Sequence, residues 1–374
     1  MSLIWWISLI VAAGLILVVG PMLYLALVLA WEDQRTRGVR YYGLAPAERD
    51  AFKRTLRTHA RLLSPVIRVA SRLNEIELAS TGFEFEGVAG PKGTCSPESF
   101  ASGNAYEPRP EDVFVVTQMK CGTTWMQHLV YEILMRGSGD LVDSGRTLYA
   151  VSPWLESLKS VSLADAPLVG AEQPSRIIKT HFPTSLCPYG PGAKYVYVAR
   201  HPVSCFASSV DFITANLGVF TPGLDEIERW FCSEEHMWWG PWPDHVAGWL
   251  ERSRCADNVL FVQFEDMKSD LPGVVRRVAA FLGMRPLNDL ELANVLEKCG
   301  FAYMQLHSGT FEMHPPHVLA VNAALFVRGA ANRHQDVPPE VRDRILEWCA
   351  SRSAEKGLLL DELYPTGDGP VSPS

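Results

Sequence analysis

The stretch that most constrains this chain is Val113-Phe114-Val115-Val116-Thr117-Gln118-Met119-Lys120-Cys121-Gly122-Thr123-Thr124-Trp125. An apolar, β-rich run enters a short loop carrying one cation, one glycine and two hydroxyls. Beyond it Met126, Leu129, Val130, Ile133 and Leu134 recur at helical spacing. A strand that passes through such a loop into a helix leaves the backbone N–H groups of the first helical turn facing the loop, where a phosphate or sulfate is stabilised. Lys120 adds a point charge there. The order of residues argues against the nucleotide-hydrolase loop G-x-x-x-x-G-K-[ST]: the lysine precedes the glycine by two positions, and no glycine opens the loop.

Further segments repeat the pattern of an apolar run ending in polar residues. Arg176-Ile177-Ile178-Lys179-Thr180-His181-Phe182-Pro183 is one, and Tyr195-Val196-Tyr197-Val198-Ala199-Arg200-His201-Pro202, followed by Ser204 and Ser208, is another. Gly240-Pro241-Trp242-Pro243-Asp244-His245-Val246-Ala247-Gly248-Trp249 follows, and Val259 to Met267 reads V-L-F-V-Q-F-E-D-M. Together with the loop at Lys120 these segments resemble the sulfotransferases that use 3′-phosphoadenosine 5′-phosphosulfate (PAPS), especially their cytosolic-type branch, over roughly residues 80–350. There the corresponding motifs read T-Y-P-K-S-G-T-T-W, R-x-I-K-T-H-x-P, Y-V-x-R-(N/H)-P, G-x-W-x-D-H-V-x-G-W and Y-E-D-M.

The resemblance implies a set of roles. His181 would take the proton of the acceptor hydroxyl, a task suited to an imidazole that titrates near neutrality. Lys120 and Lys179 would neutralise charge on the transferring group and the leaving phosphate. Cys121, Gly122, Thr123 and Thr124 would form the cradle. Arg200 and Ser208 would bind the 3′-phosphate, the guanidinium fork matching phosphate oxygens. Trp125, Phe264 and Phe301 would flank the adenine, Phe301 lying in Cys299-Gly300-Phe301 with Met304, similar to the family's T-S-F-x-x-M. The chain departs from the family at Gln118, Met119 and Cys121, and Phe264 stands where a tyrosine is usual. The closing motif R-K-G-x-x-G-x-W is reduced to Val327-Arg328-Gly329-Ala330-Ala331-Asn332-Arg333-His334, in which Arg328, the Gly329 amide and Arg333 are the available phosphate ligands.

Strand-like runs at 113–117, 176–179, 195–199 and 260–264 alternate with helical patterns. This predicts an α/β fold: a P-loop-like parallel sheet flanked by helices on both faces, with ligands at the carboxyl ends of the strands. Residues 81–364, roughly 280 in number, suffice for one such domain, and 365–374 read as a disordered tail. Residues 73–110, rich in Gly, Pro and Ser, read as a connector and early domain edge. The aromatic run Trp230 to Trp239 reads as core packing or as acceptor-pocket lining. The eight cysteines have no C-x-x-C pair and read as reduced thiols. His307, His314 and His317 lack a carboxylate or cysteine at ligand spacing, so no metal is expected.

From Leu3 to Ala30 there is no charged residue, a run long enough to cross a hydrocarbon core of roughly 30 Å, with Trp5, Trp6, Tyr24 and Trp31 suited to the interfaces. With no basic n-region before it, this predicts an uncleaved single transmembrane helix over 1–31. Residues 32–80 form a basic juxtamembrane helical segment. Positions 35–72 carry ten Lys or Arg against Glu48 and Asp50, a local net of +8; residues 1–34 contribute −2, so a chain of net −8 leaves −14 for 73–374. A basic block after the span, ahead of an acidic domain, places that domain in the cytoplasm. Phe52, Leu56, Leu63, Ile67 and Leu73 lie among its cations, and two placements are open: an amphipathic helix on anionic lipid, or a helix packed on the domain.

The combined expectation is a membrane-anchored PAPS-dependent sulfotransferase acting on a hydroxyl, with a lipid or other amphiphile as a plausible acceptor and no nucleic-acid partner. Oligomeric state is not legible. Two alternatives stand beside it: a nucleotide kinase-like phosphotransferase, which would need Mg²⁺ and a carboxylate to hold it, and a non-catalytic membrane-tethered nucleotide-binding protein.

Overall fold

The computed structural model describes residues 3–73, 76–313, 315–319 and 333–364, without the side chains of 3–4, 7–18, 333 and 334. Arg328 and Gly329, His314, the Arg333 side chain and the tail 365–374 therefore lie outside the described residues.

The chain opens with helices α1 (Leu3–Thr36) and α2 (Pro46–Leu73). A hairpin follows, β1 (Gly82–Phe85) and β2 (Val88–Pro91), then α3 (Pro97–Asn104), β3 (Asp112–Val116) and α4 (Thr123–Leu134). Next come β4 (Arg176–Thr180), β5 (Lys194–Ala199), α5 (Pro202–Leu217), α6 (Leu224–Phe231), α7 (Trp242–Cys255) and β6 (Val259–Gln263). Helices α8 (Phe264–Ser269), α9 (Leu271–Leu282), α10 (Asp289–Lys298), α11 (Phe301–Leu306), α12 (Pro339–Glu355) and α13 (Leu360–Leu363) complete the fold.

Strands β3 to β6 form one parallel sheet in the order β4-β3-β5-β6. All of β3 and β4 is buried, which explains why Val113 to Val116 read as a continuous apolar run and Ile177-Ile178 as the apolar centre of β4, and not as an alternation. Register between β3 and β4 is set at their first residues, where Asp112 pairs with Arg176 and the two form a buried ion pair at 2.9 Å. Because every strand runs the same way, Thr117, His181, Arg200 and Phe264, each the residue that directly follows a strand, emerge along one edge.

The segment read as a connector is part of the core. Glu86 and Gly87, with φ of 48° and 76°, make the tight turn of the β1–β2 hairpin. Phe83 packs edge-on against Phe100 of α3 at 4.9 Å, and Phe100 meets Phe182, next to His181, at the same distance. Phenylalanines two apart in a Gly-rich stretch were visible, but the long-range surface they cover was not.

The N-terminal helices join the same body. Near its C-terminal end α1 packs antiparallel on α2: Trp31 stacks on Phe52 at 5.1 Å, and the Tyr24 hydroxyl hydrogen-bonds His59 Nδ1 at 2.6 Å. Glu32, buried at the end of α1, accepts the Val318 N–H at 3.0 Å beside His317, and burial pushes its carboxyl up to about 7. Between the helices Tyr41 and Tyr42 are fully buried. Tyr41 donates to Glu312, which also pairs with Lys53, and Tyr42 donates to the Met313 carbonyl. The apolar face of α2, Phe52, Leu56, Leu63 and Ile67, is buried, so of the two placements open from sequence this face takes the packed one. Among the described residues, the helix long and apolar enough to cross a membrane is Pro202–Phe220, which includes α5. That helix is built into the domain, with Val203, Cys205, Phe206 and Ile213 buried.

Hairpin packing makes a stability prediction. A Cβ on Gly90 would stand 2.5 Å from Phe83 Cζ and 2.7 Å from Phe100 Cζ. Gly90→Ala should therefore cost about 1–3 kcal/mol, the usual range for overpacking. A denaturant titration that shows an unchanged midpoint would mean that the hairpin is not part of the cooperative core.

Candidate active site

The loop between β3 and α4 is a cradle made by two left-handed residues. Lys120 has φ of 64° and Gly122 φ of 102°. Gly122 begins α4 with no side-chain cap, so the first-turn N–H groups face the loop. Thr123 Oγ1 hydrogen-bonds Thr117 Oγ1 at 2.6 Å, and Thr124 Oγ1 lies 3.3 Å from the Tyr149 hydroxyl. The Lys120 ammonium sits over the Phe212 ring at 4.7 Å, and the Lys120 carbonyl accepts from Arg200 at 3.0 Å. The Cys121 thiol is fully buried, 3.8 Å from Cys205 Sγ, and burial holds it well above the usual thiol range. Only the Cys121 backbone is left for the cradle.

His181 is 3% exposed, and its Nδ1 lies 2.8 Å from the Thr117 carbonyl. A carbonyl only accepts, so Nδ1 carries the hydrogen and the lone pair resides on Nε2. Nε2 makes no hydrogen bond among the described residues. Burial, then the positive field of Lys179, hold the imidazole well below its usual pKa, with His245 and Lys120 acting in the same direction. The ring is therefore neutral, in the tautomer of a base. Trp239 and Trp154 wall it at 4.6 and 5.4 Å between ring centroids. Trp239 adopts φ of 61°, unusual for an aromatic residue, which turns its ring onto His181.

Lys179 is fully buried, its ammonium 3.3 Å from the Trp154 ring centroid and 3.4 Å from the Tyr149 hydroxyl. Burial lowers its pKa well below the ordinary range, and the nearby Glu156 carboxylate opposes that shift. Glu156, also fully buried, accepts the His181 N–H at 2.9 Å and the Trp154 indole N–H at 2.7 Å. Burial raises its pKa, and these hydrogen bonds oppose the rise.

Helix α7 fastens the strand ends from outside. Trp242 donates to the Arg200 carbonyl at 3.1 Å, His245 Nε2 to the His181 carbonyl at 2.9 Å, and Trp249 to the Phe182 carbonyl at 3.2 Å. Tyr197 hydrogen-bonds His245 Nδ1 at 2.9 Å, which leaves His245 with one donating and one accepting nitrogen. The Arg200 guanidinium is nearly buried and lies over the Phe264 ring at 4.3 Å.

Comparison with known proteins decides what this arrangement belongs to, since residues 110–356 match the Sulfotransferase domain family. The chain belongs to the sulfotransferase family. It is 31% identical to Sulfotransferase 2B1 of Mus musculus over 253 residues, 66% of this chain and 72% of that protein. It is 30% identical to the 3-alpha-hydroxysteroid sulfotransferase of Cavia porcellus over 226 residues, 59% of this chain and 76% of that protein. Among solved structures, retinol dehydratase in complex with androsterone and the inactive cofactor PAP is similar with a TM-score of 0.58 at 20% identity, covering 79% of this chain and 98% of that one. Mouse sulfotransferase SULT7A1 complexed with PAP gives 0.56, also at 20% identity, with coverage of 77% and 100%.

The sequence-derived residues of this sulfotransferase that lie beyond the loop sit on separate elements. Trp125 meets Phe264 edge-on at 5.6 Å and donates from its indole to the Cys299 carbonyl at 2.8 Å. Phe301 is 37% exposed at the start of α11, two residues beyond the Cys299 carbonyl that holds the Trp125 indole. The rings that meet are Trp125 and Phe264. Ser208 is half-buried on α5, two turns beyond Arg200. Sequence reasoning missed Glu156, Trp154 and Tyr149. Their loop has no periodic pattern, and the sole signal was an acid among apolar neighbours in Pro153-Trp154-Leu155-Glu156.

A Cβ on Gly122 would lie 2.7 Å from Phe264 Cδ2 on a backbone that side chains rarely adopt. Gly122→Ala should displace both cradle and ring and weaken binding of adenosine 3′,5′-bisphosphate by about tenfold or more, a loss of ~1.4 kcal/mol or above. Calorimetric titration of the two proteins checks this, and equal affinities would remove Gly122 from the donor site.

Proposed function

We propose that this sulfotransferase transfers a sulfuryl group from PAPS to the hydroxyl of a lipophilic acceptor at a membrane surface. The observation that carries the reading is the His181 tautomer: Nδ1–H held by Thr117 and a lone pair on Nε2 between two tryptophans. That is a base waiting for a proton beside an apolar wall, and it favours catalysis over a purely nucleotide-binding role.

The residues present fit the donor. The turn at Gly122 is closed to a Cβ, uncapped N–H groups stand behind it, and Lys120 and Arg200 supply cations. Lys120 with residues 122–124 would hold the phosphosulfate end, Arg200 and Ser208 the 3′-phosphate, and Trp125 with Phe264 the adenine. When bound, PAPS supplies an activated sulfur–oxygen bond whose leaving group is adenosine 3′,5′-bisphosphate. His181 Nε2 takes the acceptor proton, while Thr117 and Glu156 keep the ring and its backbone in register. As anionic oxygens enter the cradle the charged form of Lys179 is favoured, and with Lys120 it stabilises charge on the leaving phosphate. A lipophilic acceptor is supported by the aromatic walls and by the hydroxysteroid substrate named for the guinea-pig relative.

His181→Asn should leave PAPS affinity close to intact while kcat falls by about 10²–10⁴-fold. In the parent protein, kcat/KM should fall only in acid below the ordinary histidine pKa of about 6.5, because burial and Lys179 hold His181 down. The variant should lack that limb. Unchanged turnover, or an equal collapse of donor binding, would make His181 structural.

The membrane placement belongs to the same proposal: α1 crosses the bilayer and the catalytic domain faces the cytoplasm. It is supported by the absence of charge from Leu3 to Ala30, by the exposure of Val19, Met22, Leu23 and Leu27, and by the basic block that follows. Tyr24 and Trp31 pack on α2, so a cut after residue 31 would damage the domain. Removing residues 1–20 leaves an apolar run shorter than the ~20 residues a span requires. That protein should leave membranes in alkaline carbonate and keep activity on a soluble acceptor; carbonate-resistant association would refute the anchor.

A further inference from the structure

Gln118 lies in the loop between β3 and α4, and neither the cradle nor the proton transfer accounts for it. Its side chain is fully buried, and its Nε2 donates to two backbone carbonyls, that of Trp238 at 2.9 Å and that of Gly240 at 3.1 Å. Turning the amide over would set its oxygen against both carbonyls, so the nitrogen is the atom that faces them. The two carbonyls flank Trp239. That residue and Gly240 are consecutive left-handed positions, with φ of 61° and 88°, a conformation that an aromatic residue holds only where its surroundings impose it. The Trp239 N–H bonds the Ala89 carbonyl of β2 at 2.7 Å, while its indole N–H is buried without a hydrogen-bond partner among the described residues. What aims the Trp239 ring at His181 is therefore the hold on its backbone, and Gln118 supplies two of the bonds in that hold.

We infer that Gln118 is a positioning residue for sulfuryl transfer: it seats Trp239 over His181 and so keeps water from the base until an acceptor turns the ring aside. The opposite wall is fixed. Trp154 donates its indole N–H to Glu156 at 2.7 Å and its backbone N–H to Ser160 Oγ at 3.0 Å, and the Lys179 ammonium lies 3.3 Å from its ring centroid. The Trp154 and Trp239 centroids are 6.0 Å apart, with the rings tilted by 31°. A third ring between two others needs about 7–8 Å, twice the ordinary contact distance between carbons. An acceptor ring thus does not reach His181 between the two as they stand, and Trp239, with no bond on its indole, is the wall that moves. A lipophilic acceptor offsets the disturbed contacts with its own apolar surface, so part of its binding free energy opens the site. Water has no such surface, and His181 stays 3% exposed.

The inference rests on His181 being the base, and the experiment follows the ring and the reaction separately. The full chain and its Gln118→Met variant, which keeps the reach of the side chain without its donors, are treated with diethyl pyrocarbonate in the absence of acceptor. Mass spectrometry then follows acylation of His181. It should be faster in the variant on the order of tenfold, with the exposed His236 reacting alike in both. Trp239→Ala should give the same rise, and Gln118→Met should add nothing in that background, because the two residues act as one unit. Adenosine 3′,5′-bisphosphate should bind the parent and Gln118→Met alike. Gln118→Asn, one methylene shorter, takes the place of Gln118→Met should that variant not fold. An unchanged acylation rate would overturn the inference, as would an additive rise in the Trp239→Ala background or a collapse of bisphosphate binding. The second measurement is hydrolysis of PAPS without acceptor: the water oxygen bonds sulfur, the sulfur–oxygen bond to the bisphosphate breaks, sulfate is released, and the water proton passes to His181 Nε2. Gln118→Met should raise that rate, and adding His181→Asn should remove the rise. Faster acylation with unchanged hydrolysis would overturn the exclusion of water. Full turnover by His181→Asn with an acceptor would end the base reading, while the acylation rates would still report whether Gln118 seats the ring.

Discussion

Everything in the catalytic centre depends on backbone carbonyls at the ends of two parallel strands being held by ring N–H donors from one helix. Trp242, His245 and Trp249 of α7 bond the carbonyls of Arg200, His181 and Phe182. A parallel sheet ends in carbonyls that no neighbouring strand can satisfy, and left unpaired in a buried place each would cost about 1–3 kcal/mol. By supplying donors from a rigid helix, the fold satisfies those groups and sets the direction in which the following side chains leave the sheet. The landmark G-x-W-x-D-H-V-x-G-W is thus a positioning device that never needs to touch a ligand.

A second consequence of that geometry is electrostatic. His181, Lys179 and Glu156 lie together out of water, where charge is expensive and must be shared. The Glu156 carboxylate offsets part of the penalty on Lys179, and burial first, then Lys179, keeps His181 neutral. A base that stays unprotonated through the neutral range follows from this order of influence, with no acid beside the imidazole needed.

Much of this was legible before the structure. Four strands, the loop at Lys120 and the residues that follow β4 and β5 were readable because the strand centres are apolar and their ends carry the polar residues. What could not be read were contacts between segments far apart in sequence. Glu156 lies in a loop without periodicity, Phe83 reaches the site through Phe100, and the edge-on contact of Trp125 with Phe264 joins residues 139 positions apart. Cys121 shows the same limit: a loop position says where the backbone goes, and not that the thiol turns inward to Cys205.

Tyr41 and Tyr42 close on Glu312 and Met313, partners 271 positions later in the chain. Synthesis delivers the two ends at very different times. At ordinary elongation rates of about 5–20 residues per second, the tyrosines wait on the order of ten to fifty seconds for their partners to be made. During that interval the segment between α1 and α2 has nothing later in the chain to close on, so Tyr41, Tyr42 and the apolar side of α2 depend on α1 or on a chaperone to keep from aggregating. The order of biogenesis is in this sense a property written into where the two tyrosines sit.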